Sequence, residues 1–159
     1  MKNKKVFIIL IIIFIVILTD QIVKFLVSKN FSGELIGNNI FAIEVTENTG
    51  LAFGFNDGNT KNIGLTIFAL LIIGGFIVKQ FELIDVKTSV ALSLVLGGGI
   101  SNLIDRFIRG GVLDFIKINK FPNFNIADSC IVVGWILIII FLAIFTKKEK
   151  VGECFEKHK

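Results

Sequence analysis

The segment Val6–Leu18 reads VFIILIIIFIVIL, thirteen apolar residues without a break. Apolar residues continue to Val27, interrupted by Thr19-Asp20-Gln21 and by Lys24. A helix needs about 20 residues to cross a hydrocarbon core of about 30 Å. The stretch therefore predicts a membrane-spanning helix over residues 6–27. Lysines precede it as in a cleaved signal peptide, but no small-residue cleavage site follows the apolar run, so we expect the helix to be retained.

Three further apolar blocks follow, at residues 63–78, 88–104 and 126–145. Hydrophobic residues make up 53% of the 159-residue chain and charged residues 19%, whereas soluble domains contain about 45–50% and about 25%. The sequence therefore predicts an all-α polytopic membrane protein with four transmembrane helices. Its length suits a single membrane domain over residues 1–159.

The first outer segment, residues 28–62, is too long for a simple turn. Within it Phe41, Ile43 and Val45 alternate with more polar neighbours, a period of two that is typical of a half-buried strand. Asn48-Thr49-Gly50 resembles a turn, and Leu51–Phe55 follows as a return strand. We expect a small extracytoplasmic β-sheet between helices 1 and 2, resting on the outer membrane surface. The second outer segment covers residues 105–125.

Lysine and arginine are more abundant in the segments on the side of the N-terminus than on the other side. By the positive-inside rule, both termini are expected in the cytoplasm, with residues 146–159 as a cytoplasmic tail. Anionic lipid headgroups are the expected partner of this basic tail, and no basic soluble module is present that would bind nucleic acid. Cys130 and Cys154 have neither disulfide nor metal-site spacing, so neither a disulfide nor a cysteine-bound metal is expected.

Polar residues inside or beside the spans are costly and indicate a functional site. Asp20 and Lys24 are four residues apart, so they share a helix face and can pair. The other polar residues fall at the outer ends of the third and fourth helices or in the outer segments. The set expected at one membrane level is Asp20, Asn48, Asn102, Asp105, Arg106, Asp114, Asn125 and Asp128.

Two of these residues, Asp114 and Asp128, lie in strongly apolar local sequence. Two carboxylates close together in a low dielectric can share one proton, which suits aspartyl-type hydrolysis. Two alternatives stay open. A small ion- or proton-coupled transporter would spread its polar residues through the bilayer depth, and a non-enzymatic assembly subunit would tolerate Asp→Asn changes.

Five short motifs, taken together, resemble lipoprotein signal peptidase (signal peptidase II), a family of bacterial intramembrane aspartyl endopeptidases. They are DQIVK at 20–24, NTGLAFG at 48–54, GGGISNLIDR at 97–106, GVLDF at 111–115 and FNIADS at 124–129. Each motif alone is weak, but they occur in the family's order and at the expected places relative to four spans. Ser101 stands where the family usually has glycine, and serine is small enough for close helix packing.

The resemblance implies that Asp114 and Asp128 are the catalytic pair. It implies as substrate a diacylglyceryl-modified prolipoprotein, which the enzyme cleaves just before the lipidated cysteine. Substrate-binding or supporting roles fall to Asn48, Gly50, Asn102, Arg106, Asn125, Asp20, Lys24 and Asp105. We further expect a monomer in the bacterial cytoplasmic (inner) membrane, with its active site near the outer face and no metal or cofactor.

Overall fold

Four long helices and three strands make up the computed structural model, which describes residues 2–31, 36–38, 40–50 and 59–156. In chain order they are α1 (Lys2–Asn30), β1 (Ile36–Gly37), β2 (Phe41–Asn48), α2 (Asn59–Lys79), α3 (Val86–Arg109), β3 (Val112–Ile118) and α4 (Ile126–Glu156). Within those residues, four helices are long and apolar enough to cross a membrane. The predicted architecture of four transmembrane helices is confirmed. The helices are longer than the apolar blocks, and α4 continues into the segment expected as a tail.

The central helix is α3, which packs against each of the other three. Its glycines allow backbones to approach closely. A Cβ built on Gly97 would lie 2.9 Å from Cβ of Val16 on α1, and one on Gly98 would lie 2.4 Å from the carbonyl oxygen of Ala127 on α4. Small residues at helix contacts are typical of membrane bundles. The polar C-terminal half of α3 is thereby held at the centre of the protein.

Both ends of α3 follow local sequence rules. Asp85 is the N-cap, and its carboxylate accepts a hydrogen bond of 2.9 Å from the amide of Thr88. At the other end Gly110 has a φ of 83°, the left-handed conformation that glycine adopts without strain. The chain turns there directly into β3. A Cβ on Gly111 would lie 2.9 Å from Cγ of Glu47, so glycine also lets β3 approach β2.

The sheet is antiparallel, in the order β1-β2-β3. The expected sheet between helices 1 and 2 is confirmed, with β2 covering the predicted alternating segment. Two strands were not predicted. The first is the short β1, which pairs Ile36 with Ile43. The second is β3, between α3 and α4, which pairs Phe41 with Ile118 and Asn48 with Val112. The predicted return strand at 51–55 lies outside the described residues.

Candidate active site

A buried ammonium group joins helices α1 and α3 near their C-terminal ends. Lys24 Nζ lies 2.7 Å from Asp20 Oδ2 and 2.8 Å from Asp105 Oδ2, and all three side chains are 0% exposed. Charged groups this deeply buried persist only when they are paired and hydrogen-bonded. The predicted Asp20–Lys24 pair is therefore present, and Asp105 completes it as a buried triad.

Further donors saturate the two carboxylates of this triad. Asp20 accepts from Ser101 Oγ at 2.7 Å and from the amide of Ala127 at 2.9 Å, which connects α1 to α3 and α4. Asp105 accepts from Gln21 Nε2 at 3.0 Å and from the amide of Leu113 at 3.1 Å. The triad therefore fixes three helices and β3 relative to one another.

Asn102 connects this triad to Asp128. An ammonium group can only donate hydrogen bonds, so the Asn102 side-chain oxygen faces Lys24 Nζ, at 3.1 Å. The Asn102 amide nitrogen consequently points the other way and donates to Asp128 Oδ1 at 2.7 Å. Lys24 thus sets the direction of the hydrogen bond that Asp128 receives.

Asn125 and Asp128 cap α4 reciprocally. The Asn125 side-chain oxygen accepts from the amide of Asp128 at 2.8 Å, and Asp128 Oδ2 accepts from the amide of Asn125 at 3.2 Å. This is the capping-box arrangement, in which the two partners satisfy each other's backbone amides at a helix start. The cap leaves the Asn125 amide nitrogen free to donate to Asp114 Oδ1 at 2.7 Å and to Asn102 Oδ1 at 3.2 Å.

Asp114 is the residue of β3 that enters this network. It is 2% exposed, and Asn48 Nδ2 donates to its second oxygen at 3.0 Å. Burial raises the pKa of Asp114 to about 6, and the nearby negative charge of Asp128 acts in the same direction. Hydrogen bonds from Asn48 and Asn125 oppose that rise. The Asp114 carboxyl group therefore takes up a proton much closer to neutral pH than an ordinary aspartate does.

Two polar side chains hold the turn that carries Asn48. Arg106, which is largely buried, approaches the Gly50 carbonyl oxygen with Nη2 at 3.4 Å. Asn62, at the start of α2 and fully buried, donates from Nδ2 to the Thr49 carbonyl at 2.8 Å. Asn48 also accepts from the Gly50 amide within the turn, at 3.0 Å. These contacts fix the direction from which Asn48 reaches Asp114.

Asp114 and Asp128 both line one cavity of about 630 Å³. Its walls combine polar residues of the network with apolar residues of α4 and of the segment before it. The lining residues are Asn48, Thr66, Gly99, Asn102, Arg106, Val112, Asp114, Phe121, Pro122, Asn123, Phe124, Asp128, Ser129, Ile131, Val132 and Val133. The cavity suits an apolar chain that carries a polar bond at the level of the two carboxyl groups.

The structure brings together every site residue that the sequence predicted, although they come from α1, β2 and the turn after it, α3, β3, and α4 with the residue before it. Sequence reasoning missed the roles of Gln21, Asn62 and Asn123. Gln21 is polar within an apolar block, a signal that could have identified it. Asn62 follows other polar residues, and Asn123 lies in a loop, where asparagine is common. Across the described part of the chain, no three or more His, Cys, Asp or Glu side chains form a group that could hold a metal ion.

Comparison with known proteins assigns the chain to a family. Residues 12–144 match the family model for signal peptidase (SPase) II. A lipoprotein signal peptidase of Dehalococcoides mccartyi is 35% identical over 133 residues, 79% of this chain and 83% of the relative. One from Halothermothrix orenii is 34% identical over 149 residues, 90% and 98% of the two chains.

Solved structures agree with this match. A "Bacterial membrane enzyme structure by the in meso method at 2.3 A resolution" superposes with a TM-score of 0.80 at 33% identity, covering 88% of this chain and 90% of that one. A second, at 1.9 A resolution, gives 0.73 at 33% identity, covering 84% and 91%. The chain belongs to the signal peptidase II family, the membrane peptidases that remove signal peptides from prolipoproteins.

Proposed function

We propose that the chain is an aspartyl endopeptidase that cleaves diacylglyceryl-modified prolipoproteins just before the lipidated cysteine. The observation that carries this proposal is the pair Asp114 and Asp128, which line one cavity and are joined through the amides of Asn102 and Asn125. Family membership supports the substrate class, and the geometry of the two carboxyl groups supports the aspartyl mechanism.

In the proposed mechanism the two carboxyl groups share one proton before the reaction. The charged carboxylate accepts a proton from water as the water oxygen bonds to the scissile carbonyl carbon. The protonated carboxyl then gives its proton to the departing amine as the carbon–nitrogen bond breaks. The raised pKa of Asp114, about 6, makes protonation of the pair easier than for an ordinary aspartate. The apparent pKa values belong to the pair as a unit.

Asn102 and Asn125 keep the carboxyl groups oriented during these transfers. Each amide donates to one aspartate, and each is itself held, Asn102 by Lys24 and Asn125 by the start of α4. Preorganised donors of this kind do not have to reorient when charge moves, which lowers the barrier. Asn48 supports Asp114 in the same way, and Arg106 and Gly50 support Asn48. The buried triad of Asp20, Lys24 and Asp105 holds the helices that carry these side chains in place.

The proposed orientation has both termini in the cytoplasm of a bacterial cell and the site near the outer face of the inner membrane. The polar network lies at one end of the helices, and α4 is uninterrupted apolar sequence from Ile136 to Ile144. An ion or proton pathway needs polar groups along the full depth of the bilayer, so this distribution favours the peptidase over the transporter. One copy supplies every residue of the site, which fits a monomer.

The test uses the purified chain in phospholipid nanodiscs and a synthetic prolipoprotein, with and without the diacylglyceryl group on its cysteine. Mass spectrometry of the products identifies the bond that is cut. We expect cleavage only before the modified cysteine, because burial of the acyl chains contributes to binding. Equal rates on both substrates, or cleavage at another bond, would contradict the proposed substrate.

A further inference from the structure

The outer wall of the cavity is a four-residue segment with no part in the proton transfers described above. We call residues Phe121, Pro122, Asn123 and Phe124 the outer lip, and all four line the cavity. The Phe121 side chain is 57% exposed and packs edge-on against the Phe124 ring, with 6.1 Å between the centroids. The lip thus presents an apolar surface at the mouth of the site.

The lip is fastened to β3 and, through Asn123, to β2. Phe124 and Ile116 exchange backbone hydrogen bonds of 2.8 and 3.0 Å. Asn123 Nδ2 lies 3.1 Å from the Glu44 carbonyl oxygen, 3.1 Å from Glu44 Oε2 and 3.2 Å from Thr46 Oγ1. The Asn123 side chain therefore connects the lip to two residues of β2.

Asn123 reaches β2 at the point where the sheet is irregular. Between Ile43 and Thr46 strand β2 advances by three residues while β3 advances by two, which is a β-bulge. A bulge leaves backbone groups without a ladder partner, and Asn123 supplies a donor for the Glu44 carbonyl there. Directly after the bulge, Thr46 pairs with Asp114. The same contact thus fixes the lip and the strand register next to the site.

The Glu44 side chain is held in its charged form. Lys117 Nζ lies 2.5 Å from Glu44 Oε2, and both side chains are about half-buried. Hydrogen bonds from Lys117 and Asn123 lower the pKa of Glu44. At neutral pH the carboxylate therefore accepts from both partners. Glu44, Lys117 and Asn123 form one cluster across two strands and the lip.

We propose that the cluster of Glu44, Lys117 and Asn123 positions the outer lip to contact the lipid-modified cysteine end of the substrate, and so determines substrate affinity. This inference rests on the proposed function. Ile131–Val133 line the cavity about one helical turn deeper than Asp128, a position suited to the apolar signal peptide. The lipidated cysteine and the residues after it would then extend from the cavity on the side away from Ile131–Val133, where the lip lies.

The test compares kcat and KM of Asn123→Ala and Glu44→Gln with those of the wild type in nanodiscs, on the lipidated substrate. We expect KM to rise about tenfold in Asn123→Ala, because the variant loses the hydrogen bonds that hold the lip to β2. The rise in Glu44→Gln is smaller, about threefold, because Gln still accepts from Asn123 and a partly exposed ion pair contributes little. In both variants kcat stays close to the wild-type value. Lys120→Gln, an exposed lysine in the same turn, is the control and changes neither constant.

Hydrogen exchange at the Phe124 amide provides a measurement that does not depend on turnover. Because this amide donates to Ile116 at the base of the lip, its exchange should accelerate in Asn123→Ala. Unchanged KM in both variants, a fall in kcat with KM unchanged, or unchanged exchange would overturn the inference. A wild-type protein that does not cleave the lipidated substrate would instead overturn the proposed function itself.

Discussion

Replacing Lys24 by methionine removes the ammonium group that lies between the carboxylates of Asp20 and Asp105. Methionine is close to lysine in length, so packing is largely kept and the charge is the main loss. The variant leaves two carboxylates, both 0% exposed, without the cation that lies 2.7 and 2.8 Å from them. Removing one partner of a buried ion pair costs about 3–5 kcal/mol, because an uncompensated charge stays in the interior.

The remaining hydrogen bonds of the Asp20 and Asp105 carboxylates determine how much unfolding free energy the Lys24→Met variant loses. Asp20 keeps its donors Ser101 and Ala127, and Asp105 keeps Gln21, Leu113 and Arg109, whose Nε lies 3.5 Å away. These contacts reduce the penalty to the lower half of the range, about 3–4 kcal/mol. Turnover should fall as well, since Asn102 loses the donor that fixes its amide toward Asp128.

The assay is equilibrium unfolding in mixed micelles, followed by far-UV circular dichroism, on Lys24→Met and on the double variant Lys24→Met with Asp105→Asn. The double variant restores charge balance, so it should recover about 1–2 kcal/mol of the loss, the coupling typical of contacting residues. Lys29→Met, an exposed lysine on the same helix, is the control. A Lys24→Met variant as stable as the control, or a double variant less stable than the single one, would show that the Lys24 ammonium does not stabilise the two carboxylates.

Three further predictions concern the site and its support. The Asp114 pKa is raised in the folded protein, so wild-type stability should fall as pH rises from about 4 to about 6, by up to about 3 kcal/mol. Asp114→Asn should remove that slope in pH-dependent thermal unfolding, and a slope that persists would contradict it. Ser101→Ala deletes the hydroxyl that donates to buried Asp20 and should cost about 1–3 kcal/mol in unfolding free energy; no loss would show that this bond contributes nothing. Gly98→Leu should disrupt α3–α4 packing and lower the melting temperature far more than Gly64→Leu. A side chain at position 98 would clash with the Ala127 carbonyl oxygen, whereas one at position 64 would have no atom within 4 Å of its Cβ. Equal shifts in melting temperature would disprove the close approach of α3 and α4.

The four spans and the convergence of the polar residues were predictable because both depend on local properties. A long apolar run needs no partner to be recognised, and helix geometry alone brings Asn102, Asp105 and Arg106 to one end of α3. The motif around Asp128 also carries its own helix cap with Asn125, so its position at a helix start follows from the sequence.

Strand β3 was not predicted, because its pairing with β2 joins residues that are far apart in the chain. Val112–Ile118 contains consecutive apolar residues at its start, since both faces of that part of the strand are buried, and it therefore lacks a period of two. The roles of Asn62 and Asn123 were missed for a related reason. A single asparagine has no periodicity, and its importance depends on a carbonyl oxygen that only the folded chain brings near.

The most direct test of the account is single-turnover cleavage of the lipidated prolipoprotein by Asp114→Asn and Asp128→Asn, each purified in nanodiscs. Both substitutions preserve side-chain volume, and a melting temperature near or above that of the wild type shows that the variant is folded. We expect each variant to bind the substrate and to yield no product, because each lacks one of the two groups that transfer protons. Turnover at a wild-type rate in either folded variant would contradict the assignment of Asp114 and Asp128 as the catalytic pair.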